Sequence, residues 1–176
     1  TADIVTVSHQ DPESSNLQMV KPEYALIDGP GEYELHDVFI TGWRTYHDKA
    51  KGAERGYNTV FELDIDGLRI VHLGDLGHQL DDEAVEALSN IDILFVPAGG
   101  GTTLSPAAVA DVVGSISPKM VIPMQYRTAK GGKDLEAVET FCKQLSMEMP
   151  QPVDKLNVKP SDLSDQMQLV LLNPES

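Results

Sequence analysis

The chain has 176 residues, 41% of them hydrophobic, which suits a single domain spanning 1–176 that buries a core without disulfide staples. Its 28 acidic residues outnumber 13 basic ones for a formal charge of −15, so the averaged field repels phosphate backbones and argues against nucleic acid as a partner. The lone Cys142 leaves no internal disulfide and no Cys-rich zinc module. With no apolar run of about 18 residues and no signal pattern at the N-terminus, the expectation is a soluble, cytoplasmic protein with no membrane contact.

Asp3 to Val7 alternates around Ile4, Val5 and Val7, which predicts a strand that ends at the Ser8-His9 loop. Tyr24–Ile27, Glu32–Leu35 and Val38–His47 read as three more strands, separated by the turn signals Gly29-Pro30-Gly31 and His36-Asp37, and so as a β meander. Trp43 shares a face with Phe39 on the last of these and is expected in the core. "TVFELDI" alternates as a half-buried strand; Asp66-Gly67 supplies a tight hairpin turn, and "LRIVHL" returns antiparallel.

From there helix and strand alternate. Asp81 is placed to cap a short helix through Leu88, "DILFVP" reads as a strand covered on both faces, and Ser105-Pro106 is an N-cap with a first-turn proline. Ala108, Val109, Val112, Val113 and Ile116 form one face of the helix that follows. "KMVIPM" is a buried strand, and Leu135, Val138, Phe141, Cys142 and Leu145 make an apolar helical stripe on which Cys142 is a small buried hydrophobe. Met167–Leu172 is the last expected strand. A meander passing into βαβα predicts an α/β fold with helices outside the sheets.

Residues with ligand chemistry recur at the carboxyl ends of these strands: His9, His47, Asp75 and Gln125. Loops at strand ends converge while the sheet holds them rigid, so this is where a binding site gathers. His72, within a strand, reads as a packed side chain and His36 as a turn residue. Gly99-Gly100-Gly101 lacks the lysine of a phosphate-binding loop and reads as backbone passing close to the site edge.

"DIVTVSH", "GPGEYEL", "TYHD", "ERGYNTVFELDIDGLRIVHLGDLGH", "IDILFVPAGG" and "PKMVIPMQY" follow in the order and approximate spacing of the metallo-β-lactamase superfamily. Over almost the whole chain the sequence resembles its small bacterial Zn-dependent hydrolase-like proteins, related to the L-ascorbate-6-phosphate lactonase group. The resemblance implies an αββα sandwich with a metal site on one edge of the sheets. The chain starts at the strand of Asp3, without the hairpin that opens the family's fold. This implies a sheet edge covered by a missing N-terminal segment or by a second copy.

The family's signature is H-x-H-x-D-H, then a later histidine, an aspartate that bridges two metals and a final histidine. Placed on this chain it becomes His9, Asp11, Glu13 and Ser14, then His47, Asp75 and Gln125. Only His9, His47 and Asp75 keep the family's residue. A single weakly held Zn, Mn or Fe ion on His9, His47 and Asp75, with Asp11 as a shorter replacement donor, is therefore implied, or no ion at all. Glu13, Ser14 and Gln125 are degenerate ligand positions, and the second metal is expected to be absent. Asp75 reads either as a ligand or as a structural aspartate accepting backbone N–H groups, and the Tyr46-His47-Asp48 run either as site or as a local hydrogen-bonded turn. His78 reads as a residue at the edge of the site.

Two functions follow. One is a hydrolase-like protein of weak or absent metal-dependent activity on an unidentified small molecule, with Asp11 or Glu13 as proton acceptor beside Asp75. The other is a non-catalytic binding or regulatory module that uses the same pocket.

Overall fold

The computed structural model describes residues 2–10, 15–21 and 23–173. Two sheets organise them. In the small one, β1 (Ile4–Thr6) and β2 (Ala25–Ile27) run parallel, with Val5 opposite Leu26. The large one holds seven strands in chain order: β3 (Gly31–Leu35), β4 (Val38–Tyr46), β5 (Tyr57–Ile65), β6 (Leu68–His72), β7 (Ile93–Pro97), β8 (Met120–Met124) and β9 (Gln168–Leu169). β3 to β6 are antiparallel neighbours and β6 to β9 parallel ones.

The meander thus starts at β3, not at Tyr24. β2 pairs with β1 instead of β3, so Gly29-Pro30-Gly31 carries the chain from one sheet to the other and is not a hairpin turn. The two short hairpins are as the sequence predicts: His36 and Asp37 (φ 53° and 62°) and Asp66 and Gly67 (φ 53° and 75°) take the left-handed conformation that matches strand twist.

Three helices punctuate the parallel half: α1 (Asp82–Ala87), α2 (Pro106–Ile116) and α3 (Val138–Gln144). Asp81 caps α1 by accepting from the Ala84 N–H at 2.9 Å, and Ser105 caps α2 by accepting from Ala108 at 3.3 Å. α3 begins later than the apolar stripe suggests. Leu135 lies in the preceding turn, where it packs beside Gly99 and Gly101. The closing strand is also shorter than Met167–Leu172, being reduced to Gln168–Leu169 with a bridge from Val153 to Leu172.

The helices bury Val109, Val112, Val113, Phe141 and Cys142 against Val60, Val71, Leu94, Val96 and Val121 on one face of the large sheet. Burial pushes the Cys142 thiol above its usual pKa, in keeping with an inert core residue. The opposite face meets the small sheet through Ile27, Ile40 and Phe61, with Ile4 packed beside them. β5 is therefore covered on both sides over Asn58–Phe61 and is not the half-buried strand its alternation suggests.

No residue of β3 or β4 joins the helix-side cluster. Trp43 and Phe39 point to that uncovered stretch and are 39% and 55% exposed, so neither is a core residue. No helix among the described residues is long and apolar enough to cross a membrane.

Candidate metal centre

β1 delivers His9. Its turn is fixed by the Thr59 N–H donating to the Ser8 carbonyl at 2.7 Å and by the Ser15 hydroxyl donating to the His9 carbonyl at 2.6 Å. The His9 Nδ1 lies 2.9 Å from the carbonyl of Tyr57. A carbonyl only accepts, so Nδ1 carries the proton and Nε2 presents a lone pair. This is how metal-binding histidines are commonly oriented by a backbone partner.

That lone pair faces His47 at the end of β4, whose Nδ1 is 3.2 Å from His9 Nε2, the rings meeting edge to face at 4.4 Å. The far nitrogen of His47 lies 3.9 Å from Oδ2 of Asp75. His47 and Asp75 are both buried, at 5% and 7% exposure. Asp75 follows β6, its N–H held at 2.8 Å by the side-chain oxygen of Asn58, while Gln125 after β8 donates its amide N–H to Asp75 Oδ1 at 2.6 Å. The four strand-end residues singled out by the sequence thus come together. Asp11, Glu13 and Ser14 lie outside the described residues.

His9, His47 and Asp75 each offer a donor atom within 4.8 Å of the others. Two nitrogens bound to one tetrahedral zinc at roughly 2.0–2.1 Å are about 3.3 Å apart, close to the 3.2 Å between His9 Nε2 and His47 Nδ1. Two neutral imidazoles and one carboxylate are also a donor set that zinc, manganese or iron accepts. The residues fit a single ion.

The supporting shell contains residues that strand-end reasoning missed. Asn58 is 1% exposed and spans three elements: its NH2 donates to Thr45 Oγ1 at 2.8 Å and to the Leu73 carbonyl at 2.9 Å, while its oxygen holds Asp75. A lone asparagine in the apolar "YNTVF" strand was the signal that could have revealed it. Asp48 turns away from its neighbour His47 and gathers the loop after β4: Oδ1 accepts the N–H groups of Ala50 and Gly52, Oδ2 those of Glu54 and Arg55, at 2.7–3.1 Å. Burial pushes its pKa up, but these four donors together hold it below the ordinary carboxylate value.

His78 accepts the Tyr46 N–H on Nε2 at 3.2 Å, and its Nδ1 donates to the Gln79 carbonyl at 2.7 Å, tying the two loops of the site to each other. Gly77 sits so close beneath this junction that a Cβ would collide with the His47 carbonyl group. Gly99 has a Cβ position that would collide with the Gln125 carbonyl, so the glycine run does pass close to the site edge. His72 accepts the Gly74 N–H on Nδ1 at 3.1 Å, and burial lowers its pKa against the opposing pull of Asp75. His9 divides the open space. On one side it shares a cavity of about 340 Å³ with His72, Asp75 and Gln125, and on the other a cleft of about 360 Å³ with Arg44, Arg55 and Tyr57.

A crystal structure from Thermotoga maritima, described as a candidate Zn-dependent hydrolase of the metallo-β-lactamase superfamily, superposes with a TM-score of 0.76 at 33% identity, covering 97% of this chain and 82% of that one. A "UPF0173 protein" of Pyrococcus abyssi is 33% identical over 60% of this chain and 47% of its own length. A "UPF0173 metal-dependent hydrolase" of Lysinibacillus sphaericus is 24% identical over 71% of this chain and 66% of its own. The matched part thus spans between about half and two thirds of the length of these two curated relatives. The model of the family described as "Beta-lactamase superfamily domain" matches residues 1–125, and the chain belongs to that family.

Proposed function

We propose that the chain is a hydrolase-like protein with a degraded, one-ion site held by His9, His47 and Asp75, and that its metal-dependent hydrolysis is weak. The supporting observation is that the donors of these three residues converge within 4.8 Å. A divalent cation of the zinc, manganese or iron type supplies Lewis acidity, which makes water nucleophilic near neutral pH. The chain's own contribution is positional. Tyr57 fixes the His9 tautomer, Asn58 holds the backbone of Asp75, and Asp75 offsets cationic charge. Asp11 and Glu13 are the proposed proton acceptors.

Gln125 stands where the resemblance places a histidine, and its amide N–H occupies Oδ1 of Asp75. A second ion needs both a further nitrogen donor and a free carboxylate oxygen at this point, so this bond supports occupancy by one ion. The same bond favours a second reading, in which the pocket binds a small molecule without catalysis.

The test is hydrolysis of a lactone and of a phosphodiester after loading with Zn²⁺, Mn²⁺ or Fe²⁺, alongside the bound-metal content. Slow turnover that His47→Ala and chelation both abolish is the expected result. Turnover indifferent to chelation and to His47→Ala contradicts the proposal, and ligand binding with no metal uptake replaces it by the second reading.

A further inference from the structure

The cleft on the Tyr57 side of His9 is chemically unlike the cavity on its other face. That cavity, between Val5, Leu17, Met124 and Gln125, has no lysine or arginine on its wall among the described residues. The cleft carries Arg44 and Arg55, half of the four arginines in a chain of formal charge −15. The Arg44 guanidinium stacks over the Tyr57 ring, 4.9 Å from its centroid, which orients the plane and leaves its N–H edges available. Arg55 is anchored at one end only, where Nη1 donates to the Thr102 carbonyl at 3.2 Å.

The lysine and arginine ion pairs among the described residues join Arg69 to Glu62 and Lys119 to Asp92. Neither Arg44 nor Arg55 has a carboxylate in ion-pair range among those residues, even though acidic residues outnumber basic ones 28 to 13; Arg55 borders both this cleft and the neighbouring cavity of His47, Asp48 and Thr102. Asp28 also lines the cleft and opposes part of their field. Both arginines line the cleft, and a guanidinium is the planar, multiply donating group that recognises a phosphate or carboxylate.

On the basis of the hydrolase reading above, we propose that this cleft seats an anionic group of the substrate, a phosphate or a carboxylate, beside the bond presented to His9. Arg44 and Arg55 bind that group, and Tyr57 positions Arg44. The uncharged remainder of the substrate lies toward the cavity of Val5, Leu17 and Met124. In a strongly acidic protein, these two arginines at the cleft are what admit an anion to the site.

The test uses metal-stripped protein, so that its outcome is independent of ion binding. Phenyl phosphate, benzoate and neutral benzyl alcohol are titrated separately and followed by the backbone amide shifts of Tyr57 and Arg55. At least one anion is expected to bind about tenfold tighter than benzyl alcohol, the effect of one charge-assisted hydrogen bond, and the stronger anion identifies the source. The double variant Arg44→Gln with Arg55→Gln loses that preference while keeping a dispersed spectrum, and Arg44→Lys retains more of it than Arg44→Gln. Anions that bind no tighter than benzyl alcohol, or a folded double variant with wild-type affinity, overturn the proposal. The one-ion reading is judged separately, by metal uptake in His47→Ala.

Discussion

The side-chain amide of Gln125 donates to Oδ1 of the buried Asp75 at 2.6 Å, across a gap between the ends of β8 and β6. Gln125 itself has a left-handed backbone, φ 51°, at the point where β8 ends. A residue other than glycine held there reports that the surrounding structure fixes its direction. Removing the amide with Gln125→Ala leaves a buried carboxylate without this donor. It is expected to destabilise the metal-free protein by about 1.5–3 kcal/mol, read from urea denaturation.

Restoring the family's donors takes the opposite direction. Replacing Asp11, Ser14 and Gln125 by histidine and Glu13 by aspartate in one chain is expected to raise bound zinc from at most one equivalent toward two, measured by elemental analysis. Uptake unchanged from wild type would count against the placement of these residues in the signature.

Asn58 couples the ends of β4, β5 and β6. Asn58→Ala strands the Asp75 N–H and the Leu73 carbonyl in the interior. Each buried group left unpaired costs about 1–3 kcal/mol, so the loss expected in a denaturation experiment exceeds that of Gln125→Ala. Metal affinity is expected to fall with it, by about 10–100-fold, as for other partners that orient ligands.

Asp48 makes the site loop sensitive to acid. Its folded-state pKa is depressed below the ordinary 3.8 because the backbone donors Arg55, Gly52, Glu54 and Ala50 together outweigh the upward push of burial. A depressed carboxylate contributes its stability in full above the unfolded-state value, and that contribution is lost as pH falls through the folded one. Wild type is expected to lose stability on going from about pH 5 to about pH 2 more steeply than Asp48→Asn, which has no charge to lose there. Urea midpoints across that range make the comparison.

Gly77→Ala places a methyl group against the backbone of His47 and Asp48, which belongs to the β4 loop and has no rotamer to escape into. Overpacking of this kind costs about 1–3 kcal/mol. The variant is expected to show lower thermal stability together with weakened metal uptake, since His47 has to move.

Much of the fold was legible because its signals are local. Asp66-Gly67 and His36-Asp37 specify hairpins through their positive φ, and Asp81 and Ser105 mark helix starts through their caps. The parallel strands β7 and β8 show as continuous apolar runs because both faces are covered. What stayed hidden depends on which strand lies beside which. β2 reads as part of the meander, yet it leaves for the small sheet, and no residue of Tyr24–Ile27 encodes that choice by itself. Trp43 looks like core until the helices are seen to stop at β5.

For the site, His9, His47, Asp75 and Gln125 were marked by their positions at strand ends and by the family resemblance. The shell was not. Asn58 acts through three contacts with residues far away in sequence, and Asp48 through four backbone groups whose convergence only the folded loop shows. Arg44 on β4 and Arg55 in the loop after it border one cleft only through the fold.

Metal stoichiometry tests the central claim most directly. Metal-free protein titrated with Zn²⁺, with calorimetric and elemental readouts, is expected to take up no more than one equivalent, weakly enough that dialysis removes most of it, and His47→Ala is expected to abolish that uptake. Two equivalents retained through dialysis, or one retained undiminished in His47→Ala, would contradict a one-ion site built on His9, His47 and Asp75.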